Sequence, residues 1–350
     1  MRKFNLRDIV DIELPIIQAP MAGVQDSALA IAVSNACGLG SLPCAMLSLD
    51  AMRKELATIR SKTTKPFNVN FFCHTPPTPD AEREAVWRRS LAPYFREFGL
   101  DPNASPQAAS RMPFSAEVAD AVSEFKPAVV SFHFGLPSPE LVARVRSWGS
   151  KILSSATTVD EARWLEAHGV DAIIAQGIEA GGHRGMFLSD DLTTQVGTLA
   201  LVPQIVGAVT VPVIAAGGIA DAKGVSAALS LGAVAAQIGT AFLLCPEATT
   251  SKVHRAALKS ETALHTAVTN VFSGRPARGI VNRIIREIGP ISPAAPQFPL
   301  AASALAPLRA RVESMGKGDF SPLWAGQNAS GCKEISAALL VRGLAAHVEA

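Results

Sequence analysis

Short apolar runs alternate with helix-length amphipathic segments along most of the chain. The apolar runs fall at 16–19, 39–42, 67–72, 129–134, 151–154, 172–175, 213–216 and 234–238, and each predicts a strand. Segments with helical periodicity lie between them, including 27–36, 50–60, 139–147, 159–168 and 221–231. Runs such as Ala172-Ile-Ile-Ala175 are apolar at every position rather than at alternate ones. Such strands are buried on both faces, as in a parallel sheet covered by helices. Strict alternation of strand and helix predicts an α/β fold, and eight strands is the number that closes a (β/α)8 TIM barrel. An open doubly wound sheet is the alternative, but no GxGxxG fingerprint supports it.

Two stretches break the alternation. Residues 75–114 form a long excursion after the third strand, with a Pro-rich entry, a charged helix around 81–98 and a turn at 101–106. Residues 246–320 follow the eighth strand and combine helical pieces, a basic stretch at 273–283 and a Pro-rich region from Pro290 to Pro307. The expected organisation is a barrel over 1–245, a smaller capping segment over 246–320, and a closing segment over 321–350 that ends in a helix near 337–348.

Composition narrows the function classes. Hydrophobic residues are 48% and charged residues 18%, which favours a globular fold. A net charge of +2 gives no reason to expect nucleic acid as a partner. The most apolar stretches are interrupted by Pro, Gly and Gln, and the first ten residues carry no signal-type apolar core, so no membrane partner is expected. Five scattered cysteines without a CxxC pair fit a reducing, cytoplasmic setting. No HExxH or Cys/His cluster predicts a metal.

Candidate chemistry gathers at the C-terminal ends of the strands, where barrels of this kind carry their sites. The sixth strand runs into Gln176-Gly-Ile-Glu-Ala-Gly-Gly-His183-Arg-Gly185. Its glycines let backbone approach a bound molecule closely, and His183 can titrate near neutral pH. Glycine turns at Gly217 and Gly218 after strand seven, and at Gly239-Thr240 after strand eight, have the form of a phosphate cradle. Asn70, Gln176 and Gln237 supply amides that suit the edge of a flavin ring. In strand three, Asn70, Phe72 and His74 are spaced to share a face. His133 and His74 each read either as pocket residues or as packed core histidines. Arg275 and Arg278 read either as anion-attracting groups at the mouth or as surface charges.

Several motifs in the same order resemble the class I nitronate monooxygenases, also called 2-nitropropane dioxygenases. They are Gln18-Ala-Pro-Met21, Asn70-Phe-Phe-Cys-His74, Ser131-Phe-His-Phe-Gly-Leu-Pro137, the His183 loop, Ala216-Gly-Gly-Ile219, Gly239-Thr-Ala-Phe242 and Ser273-Gly-Arg-Pro-Ala-Arg278. The resemblance implies an FMN-dependent barrel that oxidises alkyl nitronates with O₂ to a carbonyl compound and nitrite, through one-electron transfer to flavin. Carried over by position, Met21, Asn70, Gln176, Gly181, Gly218, Gln237, Ile238, Gly239 and Thr240 hold FMN. The adjoining Ala19, Pro20, Gly182 and Gly217 complete the expected cofactor set. His183 is implied as the catalytic histidine, with His133 the next candidate. Some members line the substrate pocket with tyrosines from the capping region; here Tyr94 is the sole tyrosine of the chain, and Phe272, Phe298 and Trp324 are the nearby aromatics. Two alternatives remain at this level. One is an NAD(P)H-dependent quinone or enoyl reductase on the same barrel. The other is a barrel that binds a phosphate ligand without catalysis.

Overall fold

The computed structural model describes residues 9–102 and 111–348. The N-terminal segment before Ile9 and most of the expected turn at 101–106 lie outside the described residues.

Eleven strands occur among the described residues: β1 Ile16–Gln18, β2 Gly40–Pro43, β3 Phe67–Phe72, β4 Val129–His133, β5 Lys151–Ala156, β6 Ala172–Gln176, β7 Gly182–His183, β8 Val213–Ala216, β9 Ala235–Ile238, β10 Thr266–Thr269 and β11 Ala277–Ile280. The helices are α1 Ser27–Asn35, α2 Leu49–Lys62, α3 Ala81–Glu97, α4 Ala116–Ser123, α5 Pro139–Ser147, α6 Val159–Ala167, α7 Thr198–Ala208, α8 Ala222–Ser230, α9 Lys252–Leu258, α10 Arg283–Glu287, α11 Ala301–Ser314 and α12 Ala337–Leu344. Eight strands form one parallel sheet in the order β1-β9-β8-β6-β5-β4-β3-β2. A parallel bridge between Ile17 and Leu39 joins its two ends. Backbone bonds from Gln18 N to Leu39 O and from Leu39 N to Ile16 O, each 2.9 Å, make that closure. The (β/α)8 barrel expected from the strand–helix alternation is therefore present.

Period-2 alternation along each strand explains how the barrel makes a site. Inward positions at the lower end are apolar and pack together: Ile17, Val129, Leu153, Ile174, Ile214 and Ala235, with Val10 and Ile12 plugging the base. Two residues further along several of the same strands, the inward positions turn polar: Ser131, Ser155, Gln176 and Gln237, joined by Asn70 of β3. The barrel is thus dry at its base and carries a ring of hydroxyls and amides at its top. Outward residues of the strands pack under α2, α4, α5, α6 and α7 in a continuous apolar layer. Helix α12 packs against α1 and α8 through Leu340, Val341 and Leu344 and so occupies the eighth helix position.

The excursion and the segment after β9 share one apolar core. Trp87, Leu91, Tyr94 and Phe95 of α3 pack with Val271, Ile284, Ile285, Leu305, Leu308 and Phe320. Trp87 Nε1 donates to Ala301 O at 3.2 Å. Arg283 grips Glu97 in a two-pronged pair at 2.7 and 2.8 Å. A second, three-stranded sheet, β10-β11-β7, is antiparallel and pairs Ala277 with His183 and Arg278 with Gly182. That pairing was not expected, because a two-residue strand made of Gly and His has no apolar pattern to reveal it.

Candidate active site

The loop after β6 is held from three sides. Gln176 donates through Nε2 to His183 O at 3.0 Å and accepts from Gly185 N at 2.7 Å. Arg184, fully buried, turns away from the cavity and donates to Gln176 O and Gly177 O at 2.7 Å and to Gln195 Oε1 at 2.9 Å. The guanidinium beside His183 is a clamp on backbone carbonyls, not a reacting group. Glu179 accepts from Thr198 N and Oγ1 at 2.9 Å and so caps α7, whose N-cap Gly197 has no side chain to do it.

These restraints deliver His183 to a cavity whose non-atom space, open mouth included, is about 1360 Å³. Its Nε2 lies 2.9 Å from Ser273 Oγ, and Ser273 Oγ is 3.3 Å from Arg275 O. A hydroxyl that donates to the carbonyl must accept from the ring, so this network assigns the proton to Nε2 and leaves Nδ1 as the basic nitrogen. No described residue bonds Nδ1. Phe298 and Trp324 flank the ring, with centroids at 5.2 and 5.5 Å. Burial, and then the positive charge of Arg111, hold the His183 pKa well below its ordinary value, so the imidazole is neutral at pH 7.

His133 lies behind this group. Its Nε2 is 3.2 Å from His183 O and its Nδ1 is 3.0 Å from Ser155 Oγ. The carbonyl can only accept, so Nε2 carries the proton and donates. Burial lowers the His133 pKa to about 4, which keeps it in that neutral form. Asn70 donates to Ser131 Oγ at 3.0 Å, across the β3–β4 pair.

At the other end of the cavity two glycine turns and the Met21 turn converge. Gly217 and Gly218 have φ of +117° and +72°, conformations that side chains rarely adopt. Asp221 accepts from Gly224 N at 2.8 Å and starts α8 just beyond them. A Cβ on Gly239 would stand 3.4 Å from Ala19 Cβ and 3.6 Å from Met21 Sδ. The Met21 turn is itself pinned by Gln25, whose Oε1 accepts from Met21 N at 3.0 Å and from Gln18 Nε2 at 2.7 Å. The backbone N–H groups of Gly218, Gly239 and Thr240 have no acceptor among the described residues. The Gln237 side-chain amide also has none. Unused donors in a concave, glycine-lined pocket are able to receive an anion.

A polar strap, Trp324 to Asn328, completes the wall. Gly326 N donates to Thr240 Oγ1 at 2.9 Å, Gln327 N to Glu179 O at 2.9 Å and Asn328 Nδ2 to Gly218 O at 3.1 Å. A Cβ on Gly181 would lie 2.6 Å from the Ala325–Gly326 backbone, so only glycine lets the strap close on the His183 loop.

A sequence model of the family described as nitronate monooxygenase matches residues 3–347. The chain belongs to the nitronate monooxygenase family. Members of this family are flavin-dependent oxidoreductases, so the protein is an enzyme. It is 44% identical to a nitronate monooxygenase of Pseudomonas aeruginosa over 341 residues, covering 96% of each chain. It is 45% identical over 345 residues to a nitronate monooxygenase of Paraburkholderia phytofirmans, covering 98% of this chain and 94% of the relative. Among solved structures, a nitroalkane oxidase from Streptomyces ansochromogenes superposes with a TM-score of 0.88 at 39% identity, covering 98% and 97% of the two chains. FabK from Thermotoga maritima gives 0.71 at 30% identity, covering 97% and 94%. These relatives do not favour the reductase or the non-catalytic reading.

In this nitronate monooxygenase family member, Ala19, Pro20, Met21, Asn70, Gln176, Gly181, Gly182, Gly217, Gly218, Gln237, Gly239 and Thr240 line one cavity together with His183 and His133. Ile238 does not line it. Its side chain is outward and buried among Phe242, Leu29 and Val341, while its carbonyl accepts from Ala19 N at 2.8 Å. His74 lies beyond the end of β3 and does not line the cavity; its ring packs edge-on to Phe298 at 4.8 Å and beside Phe72 at 6.4 Å. Arg275 and Arg278 neither line the cavity nor stand as free surface charges. Arg275 stacks over Phe134 at 4.0 Å, and Arg278 is buried with Nε on Ile178 O at 2.8 Å. Sequence reasoning passed over Ser131, Ser155, Arg111, His254, Gly326 and Asn328, which also line the cavity. Strand parity gives the two serines: each lies two residues beyond an apolar inward position. The strap and Arg111 carry no comparable signal.

Proposed function

We propose that this enzyme binds FMN in the cavity and uses it to oxidise alkyl nitronates with O₂, releasing a carbonyl compound and nitrite. The observation that carries the reading is the charge of the cavity wall. Among the described residues no Asp or Glu lines it, Arg111 is its one Lys or Arg, and unpaired N–H donors gather at the glycine turns. Such a wall suits two anions, a phosphate at one end and a nitronate at the other. The cradle fits the phosphate of a mononucleotide, since Gly217 and Gly218 take backbone angles closed to other residues. Asn70, Gln176 and Gln237 would meet the polar edge of the flavin ring, and Met21 would pack on it. Bound flavin supplies the electron acceptance that side chains lack.

The remaining work falls to the chain's own residues. His183 orients the nitro group of the substrate through the ring nitrogen not engaged by Ser273. With a neutral nitroalkane, the same Nδ1 would take the α-carbon proton. Gln176 and His133 act as positioning residues, since both hold the His183 carbonyl. Phe298 and Trp324 exclude water from the ring. The segment 246–320, joined to α3 by a shared core, is read as the cap of a barrel formed by 1–245, with 321–350 as the closing segment. Five unpaired thiols support a cytoplasmic location.

Acid precipitation followed by chromatography tests the cofactor: a flavin with one phosphate is expected in the supernatant. A colourless protein, or FAD, would overturn the assignment. Mixing the enzyme with a nitronate should consume O₂ and release nitrite, while NADH and NADPH bleach it slowly or not at all. Rapid anaerobic bleaching by a nicotinamide, without nitrite release from nitronates, would favour the reductase reading.

A further inference from the structure

We infer that Arg111 is the substrate-anion receptor of this enzyme, a specificity-determining residue whose guanidinium pairs with the charged nitro group of the nitronate held beside His183. Arg111 lines the same cavity as His183, and both rest on Phe298: the His183 ring at 5.2 Å and the Arg111 guanidinium at 5.5 Å. Its Nη1 is buried and makes no hydrogen bond. An N–H buried without an acceptor is costly, and an anion entering the cavity would relieve that cost.

Three other arginines show what is missing at Arg111. Arg184 bonds two carbonyls and an amide and feels Glu179 and Glu161. Arg278 bonds Ile178 O and Thr266 and feels Glu179. Arg275, whose Nε is likewise buried without a bond, reaches Met186 O, stacks over Phe134 and feels Asp190 and Glu161. Among the described residues Arg111 forms no ion pair; burial and then another cation, Arg309, lower its pKa. The preceding residues 103–110 contain no Asp or Glu, so they cannot supply the missing carboxylate. The substrate is then the group that neutralises it. A planar guanidinium fork matches two nitro oxygens as it matches a carboxylate.

The inference rests on the nitronate reading and is tested on the flavin-loaded enzyme with 2-nitropropane and its nitronate. Arg111→Gln should raise KM for the nitronate about tenfold to a hundredfold, the size of a lost charge-assisted bond, with a smaller change in kcat. KM for neutral 2-nitropropane should stay within about twofold, because the lost term needs a charge on the ligand. Calorimetric titration with sodium nitrite should show a parallel loss of affinity, and Arg111→Lys should recover part of both. Equal KM changes for the neutral and anionic forms, or unchanged nitrite affinity, would overturn the inference. If Arg111→Gln does not fold, the wild-type enzyme decides: nitrate should compete with the nitronate, and an absence of competition would overturn it. A wild type that binds nitrite but forms none from nitronates would sink the nitronate reading alone.

Discussion

The two ends of the cavity are built by different means. At the cradle end the wall is backbone: Gly218, Gly239 and Thr240 offer N–H groups from turns whose strands are fixed in the barrel ladder. At the His183 end, side chains do it, and they arrive from the excursion, the segment after β9 and the strap. Arg111, Ser273, Phe298 and Trp324 are far apart in sequence yet surround one imidazole. The lesson is a division of labour. On the proposed function, the rigid half would hold what stays bound, and the composite half would meet what is exchanged and can vary without disturbing the barrel.

The largest expected effect falls on the cradle. Gly218→Asp puts a side chain where φ is +72° and a negative charge where an anion must sit. Flavin occupancy should collapse while circular dichroism stays near wild type; a fully yellow variant would place the phosphate elsewhere.

The next breaks the other half alone. His183→Asn keeps hydrogen bonding but removes the base. Turnover of neutral nitroalkane should fall about 10²- to 10⁴-fold, that of preformed nitronate much less, and flavin content should not change. Equal loss on both forms would leave His183 a positioning group only.

Ser273→Ala should do less. It frees Nε2 of His183 and loosens the choice of tautomer, so nitroalkane turnover should drop about tenfold, the scale of one hydrogen bond. Nitronate turnover that fell further than nitroalkane turnover would contradict Nδ1 as the base.

The smallest effect is on stability. Burial lowers the pKa values of His74, His133 and His254 to about 4 from an ordinary 6.5. The unfolded chain takes up these protons as pH falls through 6.5, while the folded chain resists until about 4. The stability they contribute is therefore complete above pH 6.5 and is lost progressively down to about 4. Thermal unfolding followed across that window should show a falling midpoint; a flat profile would mean that these rings are solvated.

Much of the cradle half was legible because it obeys local rules. An apolar run followed by paired glycines and a helix N-cap, as in Val213 through Asp221, has one physical reading wherever it occurs. The barrel ring of Asn70, Gln176 and Gln237 followed from strand ends. Period 2 would also have given Ser131 and Ser155. Where the local rule failed, the cause was local too: Ile238 alternates outward, and His74 lies beyond the last residue of its strand.

By itself the sequence determined the barrel, its glycine turns and the presence of a histidine in a glycine loop, since each depends on residues within one turn or one strand. Only the tertiary structure decided what surrounds that histidine. The β7–β11 pairing, the strap sealed against Gly181 and the placing of Arg111 over Phe298 all join segments far apart in the chain. Such contacts are fixed by packing and by the balance of buried charge, and neither leaves a periodic trace in the residues that make them.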